Sequence, residues 1–194
     1  MLGLAALGWS TGCASSAPSA TQSAAPPAAA AAPGPSPASG LTKASGCIAA
    51  NGLPDVACTP GATDPAVTQA NIDTTICVPG YSARVRPPPS VTDVIKRTEM
   101  RAYAVNAPLS QVELDHLVPL GVGGLPVALN GDGSTASVQP NLWPEMRDGV
   151  NGAAAKDRLE DALHRLVCQN RVPLTVAQQA IASDWEAAYR KYVG

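Results

Sequence analysis

The chain has 194 residues, a net charge of −2 and no phenylalanine. Residues 14–46 are almost wholly Ala, Ser, Pro and Gly with Lys43 as their one charged side chain, so 47–194 carries −3. Proteins that coat long nucleic acid through its phosphates are basic. This balance excludes that class and leaves room for chemistry on a phosphate held at a few points.

In chain order, residues 1–13 come first, a short apolar run ending in Thr11-Gly12-Cys13. The run is too short to span a membrane. Its end resembles the tail of a bacterial lipoprotein signal, in which a small residue precedes the cysteine that becomes lipid-modified. Ser10 stands where such signals usually carry leucine. The resemblance implies an exported protein, periplasmic or extracellular, attached to a membrane through a lipidated Cys13. Residues 14–46 follow as a tether: this composition buries too little apolar surface to offset its ordering entropy and is expected to be disordered. Residues 47–194 are long enough for one domain with one core.

Four cysteines remain, Cys47, Cys58, Cys77 and Cys168. An even set in an exported domain points to disulfides, and four cysteines allow three pairings. Cys47–Cys58, closing a short loop, with Cys77–Cys168 is the favoured pairing. No pair has the close spacing of a zinc knuckle.

Residues 47–89 are rich in turn signals such as Asn51-Gly52, Val78-Pro79-Gly80 and Pro87-Pro88-Pro89, which predicts an irregular arm with a helical turn near 65–70. Ser90 then reads as an N-cap for a helix to about Ala104, with Val91, Val94, Ile95 and Thr98 on one face. Gln111–Leu114 alternates like a short strand, and 138–143 reads as a second. The stretch between them holds Gly123-Gly124 and Asn130-Gly131 and reads as a long functional loop. Residues 153–167 form an amphipathic helix with Leu159, Ala162, Leu163, Leu166 and Val167 on its core face. Thr175 and Gln178 suggest a capping box for a last helix whose stripe is Ile181, Trp185, Ala188 and Tyr192. The expected class is α+β: a small β-hairpin with flanking helices, supported by disulfides.

The residues that carry chemistry sit at the strand ends. One of only two histidines, His116, directly follows Asp115, and Asn141 comes twenty-five residues later. Phosphodiester hydrolysis needs a base for water and positive charge on the phosphate. A neutral imidazole suits the first, and a divalent cation on oxygen or nitrogen ligands suits the second. Arg84 and Arg86, just before the triple proline, read equally as a solvated face or as phosphate contacts.

Several segments together resemble a family of small bacterial exported proteins related to HNH, or ββα-metal, endonucleases. They are Glu113-Leu114-Asp115-His116-Leu117-Val118-Pro119-Leu120, Gly123-Gly124, Asn141-Leu142-Trp143-Pro144-Glu145 and Ala155-Lys156-Asp157-Arg158-Leu159-Glu160. Ile76-Cys77-Val78-Pro79-Gly80-Tyr81 and Asp184-Trp185 also fit, so the resemblance covers about residues 58–193. It implies a ββα-metal-like core, His116 as general base, Asn141 as the amide that pins the loop holding it, and Asp115 as a metal ligand. HNH nucleases place further ligands about nine to thirteen residues beyond the central Asn, where this chain has Val150 and Ala154. Asn151 and Asp157 are the nearest substitutes. An oxygen-rich set of this kind suits Mg²⁺ or Mn²⁺. Two functions follow as expectations. One is a metal-dependent nuclease acting on DNA or RNA outside the cytoplasm; the other is an inactive HNH-like envelope protein that binds or supports.

Overall fold

The computed structural model describes residues 43–149 and 152–194. It is mixed α and β: helices α1 (Tyr81–Val85) and α2 (Pro89–Ala102), strands β1 (Val112–His116) and β2 (Leu142–Met146), then α3 (Ala153–Cys168) and α4 (Leu174–Tyr192). Short 3₁₀ turns cover Gln69–Thr74, Leu109–Gln111 and Leu120–Val122. The strands form one antiparallel pair in which Asp115 faces Trp143 and His116 faces Leu142. The hairpin lies later in the chain than alternation suggests. Val112, Asp115 and His116 are buried while Glu113 and Leu114 are only half-buried: α2 packs on both strands and Lys156 of α3 reaches Asp115, so the period of two is lost. Pro144 is tolerated inside β2 because each strand of a two-stranded sheet is an edge.

Proline sets the helix starts instead of the expected polar caps. Pro88 occupies the cap position of α2 and Pro89 its first turn, leaving Ser90 inside the helix. A missing N–H costs nothing there, and the fixed φ suits entry. Likewise Pro173 caps α4 and the Thr175–Gln178 box does not form; Gln178 Nε2 instead donates to the Val122 carbonyl at 2.9 Å. Asp184 leaves helical geometry in mid-α4, and its Oδ1 accepts from the Ala187 N–H at 2.8 Å, capping the second half. The helical turn expected near 65–70 forms later, as the 3₁₀ turn at Gln69–Thr74.

The core lies where α3 packs on α4. Leu159, Leu163, Val167, Ile181 and Trp185 meet Leu117, Val118 and Val122 from the start of the inter-strand loop. Each such side chain contributes about 1.5–3 kcal/mol by leaving water. Thus the loop that follows His116 is anchored on the core. Two disulfides form, Cys47–Cys58 and Cys77–Cys168. The second spans 91 residues and ties the arm before α1 to the end of α3. Disulfides fit an oxidising, exported setting. No helix among the described residues is long and apolar enough to cross a membrane.

The tether is met only at its end. Lys43 packs on the domain, its Nζ 3.0 Å from Asp55 Oδ2 and its N–H on the Ala57 carbonyl. Residues 1–42, with Cys13 and most of the tether, lie outside the described residues, as do Val150 and Asn151.

Candidate functional site

His116 ends β1 and is 6 % exposed. Its Nε2 lies 2.8 Å from the Pro126 carbonyl oxygen. A carbonyl only accepts, so Nε2 carries the proton and the lone pair is left on Nδ1. Burial pushes the imidazole pKa down to about 4, against the opposing pull of the Pro126 bond and the Asp115 charge. The ring is therefore neutral, as a base must be.

Asn141, only 1 % exposed, spends its whole amide on that loop. Its Oδ1 accepts from the Val118 N–H at 2.9 Å, and its Nδ2 donates to the carbonyls of Val118 at 2.9 Å and Leu125 at 3.0 Å. It thus holds together the residues just after His116 and the residue before Pro126, whose carbonyl fixes the imidazole. Gly124 explains half of the double glycine: a Cβ there would lie 1.7 Å from the Val118 oxygen. Gly123 supplies the positive φ of +75° that turns the chain back.

Asp115 points to the other side of the strand end and is occupied. Its Oδ2 accepts from Lys156 Nζ at 2.8 Å and from Trp143 Nε1 at 3.0 Å. Lys156 is wholly buried; its ammonium also donates to the His116 carbonyl at 2.9 Å and to Glu160 Oε1 at 2.5 Å. Burial lowers its pKa, but the neighbouring acids, Asp115 first and then Glu160, outweigh burial and hold it above the ordinary lysine value. Glu145, on β2 beside Trp143, is 1 % exposed, and neither of its carboxyl oxygens has a hydrogen-bond partner. Burial, with the Asp115 charge adding, pushes it up to about 9, so it stays protonated.

Next to this cluster, between α1 and α3, opens a cleft of about 120 Å³ lined by Ser82, Arg86, Gly121, Glu160, Asp161 and His164 among others. His164 Nε2 donates to the Ile76 carbonyl at 2.9 Å, an oxygen held there by the neighbouring Cys77–Cys168 bridge. The two arginines of the arm separate. Arg84 turns back to the Pro79 carbonyl and lies over the Tyr81 ring. Arg86 lines the cleft, forms no ion pair among the described residues, and its charge is felt at the His116 imidazole.

No family model matches the chain, and no curated protein or solved structure matches it.

Two of the residues expected to hold a divalent ion, Asp115 and Asp157, are not brought together: Asp115 is bonded to Lys156 and Trp143. Asp157 is exposed on the solvent side of α3, as is Ala154, and Asn151 lies outside the described residues. Among the described residues no three His, Cys, Asp or Glu side chains converge as a metal site would require. The side chain that α3 sends to Asp115 is Lys156. One residue along a helix turns the side chain by about 100°, which separates the buried Lys156 from the exposed Asp157. Sequence reasoning missed Lys156 and Glu145. The signal for Lys156 was its place on the stripe of Leu159, Leu163 and Val167, where a charge requires a buried partner. Glu145 carries no comparable signal, since strand alternation is lost in β2.

Proposed function

We propose that the domain hydrolyses phosphodiester bonds of nucleic acid outside the cytoplasm, as an HNH-type endonuclease with His116 as general base. The observation that carries this reading is the neutral imidazole at a strand end, with its Nε2–H committed to Pro126 and its lone pair left on Nδ1. In this reading His116 Nδ1 takes the proton of the attacking water and Asn141 positions the ring by holding its loop. Arg86, beside the cleft, neutralises phosphate oxygens. Mg²⁺ or Mn²⁺ would supply further charge neutralisation in an enzyme of this type, although Asp115, the ligand expected at the strand end, is bonded to Lys156. The net charge of −3 favours short or single-stranded substrates, held at few phosphates, over long duplex.

The test is degradation of plasmid DNA and of RNA by the full chain, in Mg²⁺, in Mn²⁺ and in chelator. His116→Ala should lower the rate about 10²–10⁴-fold. A base must be deprotonated, so with His116 near 4 the rate should stay level down to about pH 5 and fall below it, rather than near the ordinary histidine value. Equal rates in both proteins would remove His116 from the mechanism.

A second reading is favoured by one observation: Lys156 occupies Asp115 Oδ2. On this reading the scaffold serves binding or structure at the envelope and carries no nuclease activity, and absence of hydrolysis in every arm of the same assay would select it. Membrane attachment through a lipidated Cys13 belongs to either reading. Full-length protein should partition with membranes and Cys13→Ser should not; partition unchanged by the substitution would end that part of the proposal.

A further inference from the structure

We infer that Lys156 is a built-in counter-cation: its ammonium fills an all-oxygen cation seat formed by Asp115, Glu160 and the His116 carbonyl, and thereby keeps divalent ions out of it.

Three oxygens surround the Nζ position, at 2.8 Å (Asp115 Oδ2), 2.5 Å (Glu160 Oε1) and 2.9 Å (His116 O). Two carboxylates and a backbone carbonyl are the ligand chemistry of Ca²⁺, which takes oxygens at about 2.3–2.6 Å in flexible geometry. The seat needs a contraction of only a few tenths of an ångström to meet that range. Mg²⁺, at about 2.0–2.1 Å with strict octahedral demands, fits it less well. The ammonium instead matches these distances as three charge-assisted hydrogen bonds, and it arrives on a fully buried stem that water cannot displace.

A second, independent observation points to the same seat. Glu145 is buried on the hairpin two residues along β2 from Trp143, the partner of Asp115, with both carboxyl oxygens unpartnered. An orphaned buried carboxyl costs free energy. As a strand residue standing diagonal to Asp115, it is a spare oxygen donor beside a seat that the ammonium already fills. All three protons of the ammonium are committed to Asp115, Glu160 and the His116 carbonyl, and Glu145, which feels the charges of Asp115, Lys156 and Glu160, stands unpartnered beside them.

The experiment measures divalent-ion binding directly, by calorimetry with Ca²⁺ and by the free-ion resonance signal of Mn²⁺, on the disulfide-intact full chain near pH 7. Wild type should show no Asp115-dependent site up to about 10 mM ion. Lys156→Ala should gain one site, preferring Ca²⁺, at about 0.1–1 mM, the range of extracellular calcium modules. Adding Asp115→Asn to it should lose that site. Should Lys156→Ala be poorly folded without ion, Ca²⁺ should raise its thermal midpoint and leave wild type unchanged. Wild-type binding that Asp115→Asn abolishes would overturn the inference, as would a Lys156→Ala protein that neither binds nor is stabilised by ion. These readouts do not depend on nuclease activity, so they stand or fall apart from the proposed reaction.

Discussion

Replacing Lys156 by methionine should destabilise the domain by about 3–5 kcal/mol at neutral pH in ion-free buffer, measured by chemical denaturation. Methionine nearly matches the buried stem of lysine, so the loss reports the ammonium and not a cavity. Without it, Asp115 Oδ2 keeps only the Trp143 N–H, the His116 carbonyl loses its donor, and Glu160 stands beside Asp115 with no cation between them. Breaking a buried pair from one side is costly because the partner's charge stays in a poorly solvating place. Burial already pushes the Glu160 pKa up to about 7 and loss of the ammonium pushes it further, so Glu160 sheds its charge near neutral pH; adding Glu160→Gln should recover part of the deficit only as the pH rises above 7. The pairwise coupling from the four proteins should be at least about 1 kcal/mol in that range. A loss below about 1 kcal/mol for the single variant would mean that solvent, rather than Lys156, neutralises these carboxylates.

That cluster bears on function through its position. The His116 carbonyl is a Lys156 acceptor while the His116 ring is fixed by Pro126. A single residue therefore joins the buried charge cluster to the imidazole that the proposed reaction uses. On an ordinary strand, neighbouring side chains point to opposite faces, and here Asp115 and His116 do face different partners: an ammonium and an indole on one side, a loop carbonyl on the other. The cleft lined by Arg86 and Glu160 adjoins the cluster. A substrate phosphate there would meet the Arg86 charge directly and the Lys156 charge only through the protein.

Much of this arrangement was legible in the chain. Asp115-His116 before a proline, a double glycine and a distant asparagine marked the strand end, the tight return and its clamp, because each residue type has few other uses at that spacing. The stripe from Leu159 to Val167 gave α3, since a 3.6-residue period needs no tertiary context to be read. The favoured cysteine pairing is the one that forms. What stayed hidden depends on three dimensions. Ser90 and Thr175 looked like caps, but Pro88 and Pro173 fixed the helix starts two residues earlier. Asp157 looked like a ligand because it lies close in sequence to Ala154; helix phase turns it to solvent and turns Lys156 inward instead. A lysine that reaches across forty-one residues to an aspartate leaves only one local trace, a charge standing on an apolar stripe.

Asn141→Ala should be nearly as damaging as loss of Lys156, at about 3–5 kcal/mol, because it strips partners from two buried and one half-buried backbone group at once. The Val118 N–H, the Val118 carbonyl and the Leu125 carbonyl all bond its amide, and each buried group left unsatisfied costs about 1–3 kcal/mol. The informative comparison is Asn141→Asp, which has the same shape. Its carboxylate would still accept from the Val118 N–H but would turn an acceptor oxygen toward two carbonyls, in a site only 1 % exposed. Aspartate should therefore rescue little, and better at low pH, where a protonated carboxyl can donate to one carbonyl. A second readout separates clamping from mere bulk. In any Asn141 variant that still folds, the loop after His116 loosens, the imidazole gains water, and its pKa should rise from about 4 toward the ordinary histidine value. The proton resonances of the His116 ring followed against pH would show this directly. An Asn141→Ala protein that keeps wild-type stability and an unchanged His116 titration would mean that the loop is held by its glycines and apolar contacts alone.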